Sequence, residues 1–350
     1  MSSILGAGAP LETPRHRIGR FSSVLSDDAR DGRVIPVDVW YPAGPDRTAV
    51  PSVYELLPGI GFTAAAEDEA EVADGPHPLL LWSHGRTGTR TSYALLCEAI
   101  AARGFVVLTL EHAGDSLADW LLGAAADDET NEINRVADAR FVLDTVLDPN
   151  GPLRTFATRV DPDRIAAAGH SYGGFTALSL AGGDTPDPRV RAAAGLESLT
   201  RSIPKQSLEQ IKVPTLLVVG RQDATTPPET DAERAWAKLG ADPAWRVDIE
   251  HAGHQGCSDV GLYLELAPQI AEIPEIVKGY VESMAADVTG TAGDPWRPTV
   301  ALHVRILGAF LDGALAIDVG RANRELASVS ELDGVTVSNR GSFGVGTSAG

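Results

Sequence analysis

Cysteine is scarce in this chain. Only Cys97 and Cys257 occur among 350 residues, and neither belongs to a C-x-x-C pair. That spacing argues against a zinc ribbon or a dithiol redox motif. Two free thiols in a reducing compartment are the expected state, although one disulfide is arithmetically open. Positive charge is also short. There are 29 Lys+Arg against 48 Asp+Glu, a formal net charge of -19. Nucleic acid and anionic membranes both need a basic face, so neither is expected as a partner. The bland reading of the excess is a solvated acidic surface. No run approaches the roughly 18 apolar residues of a membrane span. No repeat at a fixed period is present. The opening MSSILGAGAPLETPRHRIG lacks a basic start followed by an apolar run. It does not read as a signal peptide, and a cytoplasmic location is expected.

What is present is enough apolar sequence for a large core: 43% of residues are hydrophobic. HRIGRFSSVL and RVIPVDVWYPA read as two strands joined by the polar turn SDDARDG. PLLLWSHG, FVVLTLEH, RIAAAGH, VRAAAGLES, VPTLLVVGRQD and WRVDIEH read as short buried strands. Between them SYALLCEAIAARG, NEINRVADARFVLDTVLD, SYGGFTALSLAGG and ETDAERAWAKLG carry helical spacing, and WRPTVALHVRILGAFLDGAL reads as a closing helix. The alternation predicts an α/β fold: one domain with a mostly parallel sheet, helices on both faces and an antiparallel N-terminal edge. Residues 50–77 read as an irregular insert, and residues 258–296 as a second insert after the last strand. The polar, Ser/Gly-rich stretch from about Ala322 is expected as a flexible tail.

GHSYGG, residues 169–174, places Ser171 in a G-x-S-x-G between a predicted strand and a predicted helix. That is the context in which the motif lifts a serine hydroxyl clear of the sheet at a helix N-terminus. Glycines flank it because side chains there would meet neighbouring backbone. The alternative is a tight turn without chemistry. A nucleophilic serine needs a base, and the base needs an orienting acid. Downstream histidines are His251, His254 and His303. His303 falls inside the closing helix and His251 at a strand end. His254 lies in the loop beyond, where open α/β sheets meet their ligands, and is the expected base. His251, His254 and Cys257 form an H-x-x-H-x-x-C that matches no established metal spacing. Asp223, at the end of VPTLLVVGRQD, is the expected acid. Glu197, ending the preceding strand, is the alternative, and a helix-capping or turn role is the plain reading of Asp223. The amides of Arg86, in the loop SHGRTGTR, and of Tyr172 are the candidate oxyanion donors. His84 reads as a structural residue of that loop. The side chains of Arg86 and Arg90 are either solvated or aimed at a substrate carboxylate.

VDVWYPA, LLLWSHGRTGTRTSY, ARGFVVLTLEHAGDS, RIAAAGHSYGGFTAL, VPTLLVVGRQDATTPP and HAGHQGCSD together resemble the α/β-hydrolases. Within them they resemble the dienelactone-hydrolase-like, platelet-activating-factor acetylhydrolase and polyester hydrolase (cutinase-like) cluster. The resemblance runs from about Val37 to Asp259, and the closing helix adds to it. It implies Ser171, Asp223 and His254 as a triad, with the Arg86 and Tyr172 amides as the oxyanion hole. In the acetylhydrolase branch the acid follows the earlier strand, where Glu197 stands here; the polyester hydrolase branch matches Asp223. Polyester hydrolases are usually secreted, in contrast to the absent signal sequence. The two inserts match no named segment and are expected as lid or pocket walls. Tyr54, Leu56, Leu57, Ile60 and Phe62 belong either to an acyl pocket or to the core. The expected activity is hydrolysis of a small-molecule carboxylic ester through an acyl-enzyme, with no metal or organic cofactor. Rival expectations are lactone or amide hydrolysis or acyl transfer by the same residues, and a non-catalytic binding protein on the same fold. Oligomeric state is left open.

Overall fold

The computed structural model describes residues 3–45, 50–270, 273–289 and 295–344. The chain opens with β1 (Ser3–Gly6) and the antiparallel pair β2 (Ile18–Asp27) and β3 (Arg33–Pro42). Their turn uses left-handed backbone at Asp31 and Gly32, as a reversal of this length requires. β4 (Val50–Leu57) and β5 (Ile60–Asp68) follow as a second antiparallel hairpin. β6 (His77–Ser83), α1 (Ala94–Ala102), β7 (Val106–Leu110), α2 (Leu117–Leu121), α3 (Asp128–Leu147) and α4 (Arg154–Ala157) come next. Then come β8 (Val160–His170), α5 (Tyr172–Gly182), β9 (Val190–Leu196), α6 (Lys205–Gln210), β10 (Thr215–Gly220), α7 (Ala232–Lys238) and β11 (Ala244–Ile249). α8 (Val260–Leu266), α9 (Glu275–Ser283) and α10 (Ala286–Thr289) precede α11 (Trp296–Ala314), α12 (Val319–Val329) and β12 (Val335–Arg340).

All strands share one sheet in the order β1-β5-β2-β3-β7-β6-β8-β9-β10-β11-β12, with β4 on β5. β7, β6, β8, β9, β10 and β11 run parallel. Their continuous apolar runs have a simple cause: helices cover both faces, so neither side of the pleat is left to water. In β6, Leu80 and Trp82 face α1 and α11, packing with Leu96, Ile100, Val304 and Phe310. Leu79 and Leu81 face α3 and α5, packing with Val142, Leu143, Phe175 and Leu178. Successive side chains alternate because the strand period is two.

The structure departs from the sequence expectation in three places. Residues 50–68 are not irregular but form the β4–β5 hairpin. Its alternation is masked by Pro51 and by register shifts at Pro51/Val53 and Glu55/Leu57. That hairpin also moves the sheet edge outward, because β5 pairs in parallel with β2. The expected flexible tail from Ala322 is instead the end of α12 followed by β12, which pairs antiparallel with β11. α12 looks polar because it shows the core only the stripe Ala322, Leu326 and Val329. Residues 345–350 of that tail lie outside the described residues. The segment 258–296 forms α8, α9 and α10, apart from residues 271–272 and 290–294, which lie outside the described residues.

Candidate active site

β8 delivers Ser171 to the carboxyl edge of the sheet. Its φ of 54° and ψ of -117° place it in a strained turn, and α5 starts at the next residue. The flanking glycines are demanded by close approach. A Cβ at Gly169 would lie 2.4 Å from the Gly173 carbonyl oxygen, and one at Gly173 would lie 1.9 Å from that of Ser83. The Ser171 N–H donates to the Leu196 carbonyl at 2.9 Å, which ties the turn to β9.

His254 hangs from the loop after β11. Its Nε2 lies 3.0 Å from Ser171 Oγ, and its Nδ1 lies 2.8 Å from Asp223 Oδ2. A carboxylate accepts, so Nδ1 carries the hydrogen and Nε2 is left to accept from the serine. Asp223 sits just past β10. Its Oδ1 accepts from the Thr225 and Thr226 amides, both at 2.8 Å, and Oδ2 accepts from the Thr226 hydroxyl at 2.6 Å. Burial pushes the Asp223 carboxyl up, but His254 and Thr226 outweigh it and hold it below the usual carboxylate range.

Glu197, the alternative acid, is committed elsewhere. Its Oε1 lies 2.9 Å from Nε2 of His303, and both side chains are fully buried. His303 Nδ1 lies 2.8 Å from the Thr299 carbonyl oxygen. Carbonyl and carboxylate both accept, so a protonated ring would donate to each. Burial opposes that charge, yet Glu197 prevails and the His303 pKa is raised. The H-x-x-H-x-x-C residues do not converge as a set, since His254 faces Ser171 and Asp223. Ligand atoms of His170, Glu197 and Cys257 do lie within 4.8 Å of one another. They fit a metal poorly: both His170 nitrogens are hydrogen-bonded, and burial keeps the Cys257 thiol protonated.

The Arg86 amide belongs to the peptide whose carbonyl is that of Gly85. That carbonyl oxygen lies 2.7 Å from His84 Nδ1 and accepts from Gly88 N–H at 3.0 Å. In a trans peptide the N–H points opposite the C=O, so these bonds fix the direction of the Arg86 N–H. His84 Nε2 accepts from the His112 amide at 3.1 Å, which leaves Nδ1 as the donor. Gly85 packs on Ser171: a Cβ there would lie 3.2 Å from Ser171 Cβ. Among the described residues neither the Arg86 nor the Tyr172 N–H has a hydrogen-bond acceptor within the chain. Tyr172 N–H is the first of α5, where the helix presents unpaired donors. The Arg86 guanidinium pairs with Asp128 at 2.5 Å and covers the Tyr172 ring at 4.9 Å. Arg90 pairs with Asp38 at 2.9 Å and Glu111 at 3.1 Å, away from the cavity.

Ser171 and His254 open into a cavity of about 1050 Å³. Both inserts wall it, with Leu56, Leu57 and Ile60 from the hairpin and Val260, Leu264 and Val281 from the later segment. Tyr54 and Phe62 instead belong to the core; the Tyr54 hydroxyl accepts from Trp40 Nε1 at 2.8 Å and lies 2.6 Å from Glu98 Oε1. The Thr87 hydroxyl and Tyr280 of α9 share a hydrogen bond of 2.7 Å, joining the later insert to the Arg86 loop.

Sequence reasoning missed three supports. Thr226 could have been found from the Asp-x-x-Thr turn in DATT. Arg135, which donates to the His84 carbonyl at 2.9 and 2.8 Å, had a weaker signal. It shares the buried stripe of α3 with Asn131 and Asp138, and such a polar stripe marks a helix facing polar groups. Tyr93, which accepts from Gly85 N–H at 3.2 Å, had none.

Several known proteins resemble this chain. Cutinase 1 of Thermobifida cellulosilytica is 32% identical over 162 residues, 45% of this chain and 52% of that protein. The cutinase of Thermobifida fusca is 32% identical over 162 residues, with the same 45% of this chain and 45% of that protein. The chain thus spans about half the length of these relatives. The platelet-activating factor acetylhydrolase of Cavia porcellus is 24% identical over 154 residues, 35% of each. Among solved structures, the ferulic acid esterase from Streptomyces cinnamoneus superposes with a TM-score of 0.69 at 24% identity, covering 90% of this chain and 94% of that one. The fold is therefore that of the α/β-hydrolases. The PETase family, described as PET hydrolase-like, matches residues 80–264, more than half of the chain and the part that carries Ser171, Asp223 and His254. On that match this chain belongs to the PET hydrolase-like family.

Proposed function

We propose that the protein is a serine hydrolase of carboxylic esters working through an acyl-enzyme. The observation that carries this is the continuous hydrogen-bonded line Ser171–His254–Asp223 at the floor of a large, partly apolar cavity. Ser171 Oγ attacks the ester carbonyl while His254 Nε2 takes its proton. The Arg86 and Tyr172 amides hold the developing oxyanion. His254 then protonates the leaving alcohol; in the second half it takes a proton from an attacking water and returns it to Ser171 Oγ as the acid is released. The relatives named as cutinases, and a structural neighbour named as a ferulic acid esterase, support ester chemistry. The apolar side chains that both inserts add to the walls suit an ester with an apolar acyl part. Turnover of p-nitrophenyl esters of graded chain length tests the reading. Ser171→Ala should reduce turnover to the uncatalysed background with an unchanged circular dichroism spectrum. Residual Ser171→Ala activity near wild type would refute it.

A further inference from the structure

We propose that His170, the residue before the nucleophile, is a positioning residue that ties the backbone of His254 to the oxyanion loop through Tyr93. The inference rests on the ester hydrolase reading above. His170 ends β8 and is buried beneath Ser171. Its Nε2 lies 2.6 Å from the carbonyl oxygen of His254. A carbonyl only accepts, so Nε2 bears the hydrogen. Its Nδ1 lies 2.7 Å from the Tyr93 hydroxyl. Burial and the neighbouring His254 push the His170 pKa down to about 3, so the ring is neutral and Nδ1 is bare. Tyr93 therefore donates to His170, and its oxygen accepts from Gly85 N–H at 3.2 Å. The hydrogens all run one way, from Gly85 through Tyr93 and His170 to His254.

The two ends of this line are the parts that must converge on one substrate carbonyl. At one end is the residue preceding the Arg86 amide. At the other is the backbone that carries the His254 imidazole. Asp223 fixes the rotation of that ring, but it does not fix the backbone from which the ring hangs. His170 holds the His254 carbonyl, while the neighbouring Gln255 N–H donates to the Asp287 carbonyl at 2.6 Å, and the His170 ring packs on that of His254 at 4.7 Å between centroids. The line also leaves no slack: a Cβ at Gly85 would lie 3.0 Å from His170 Nδ1 and 3.4 Å from the Tyr93 hydroxyl. Misplacement of a reacting group by about 1 Å can lower rate by about 10²-fold, so loss of one tether is expected to cost part of that.

Steady-state kinetics of three substitutions separate positioning from mere packing. His170→Asn keeps an acceptor for Tyr93 but cannot reach the His254 carbonyl. His170→Gln reaches that carbonyl with an N–H and gives up the Tyr93 acceptor. Tyr93→Phe removes the hydroxyl. His170→Asn should lower kcat about tenfold with KM within about twofold, and His170→Gln, which cuts the same line at Tyr93, should lose a comparable amount. The double variant Tyr93→Phe/His170→Asn should be no slower than His170→Asn alone, because both break one line. Wild-type kcat in His170→Asn or in His170→Gln, or multiplying losses in the double variant, would each overturn the proposal. If the wild-type protein shows no Ser171-dependent turnover, the ester hydrolase reading falls separately. In that case ¹⁵N spectra of histidine-labelled protein still decide the tether: the His170 Nδ1 resonance should move in Tyr93→Phe, and an unmoved signal overturns it.

Discussion

Two carboxylates compete for the role of acid, and at the residue scale their neighbours separate them. Asp223 meets His254 at 2.8 Å, while Glu197 meets His303 at 2.9 Å. Asp223→Asn would present a donor or a neutral acceptor to His254 and favour the wrong tautomer. A loss of kcat on the order of 10³–10⁴-fold is expected, with little change in thermal stability. Glu197→Gln should reverse that pattern. It leaves a charged His303 buried without its partner, a loss of about 3–5 kcal/mol in unfolding free energy by denaturant titration. Rates measured below the shifted unfolding midpoint should stay within about tenfold of wild type. A large rate loss in Glu197→Gln with an intact Asp223→Asn enzyme would exchange the two roles. The three residues brought together here were legible in the sequence because each sits just beyond a recognisable strand, in the order serine, acid, base. Tyr93 and His170 were not legible as a pair. They lie 77 residues apart, and nothing local to either one signals the other.

At the scale of elements, the turn between β8 and α5 works only because three strands leave it no room. Gly169 pairs in register with Ser83 of β6 and Gly195 of β9. Gly173 faces the Ser83 carbonyl so closely that a methyl group could not be accommodated without moving β6. Gly173→Ala is therefore expected to destabilise the fold by about 1–3 kcal/mol or more through overpacking, and to lower activity even where folded, since β6 carries the Arg86 loop. A Gly173→Ala protein with wild-type unfolding midpoint and rate would contradict this. The same strands were readable in advance because burial on both faces writes itself as an unbroken apolar run. The β4–β5 hairpin and the α12–β12 ending were not. A half-buried strand with bulges shows no clean period, and an amphipathic edge helix shows mostly its wet side.

The Glu197–His303 pair also links the sheet to α11, and its charge makes that link depend on pH. The His303 pKa is raised on folding, so its contribution to stability is fully present below the unfolded value near 6.5. It is lost as pH rises through the higher folded value. The gap in unfolding midpoint between wild type and His303→Gln should accordingly be widest in mildly acidic buffer and shrink as pH is raised. A gap that widens with pH would reverse the assignment of charge to this histidine.

Across the whole molecule, charge sets a different condition. Even if every Lys and Arg were matched to an acid, 19 negative charges would remain. Many of the matched pairs are shielded or partly buried, such as Arg135–Asp115 and Arg103–Asp312, and salt weakens those least. The unmatched acids are left to repel one another across the surface, which favours the expanded chain over the compact one. Screening should relieve that repulsion at separations beyond about 10 Å once ionic strength reaches about 0.1 M. The unfolding midpoint is therefore expected to rise by a few degrees as sodium chloride goes from about 0.01 M to about 0.2 M at pH 7. Sodium chloride is the right probe because it screens without the strong surface exclusion of sulfate or phosphate. A midpoint that falls over this range would mean that surface ion pairs, not the acidic excess, dominate the electrostatics of folding.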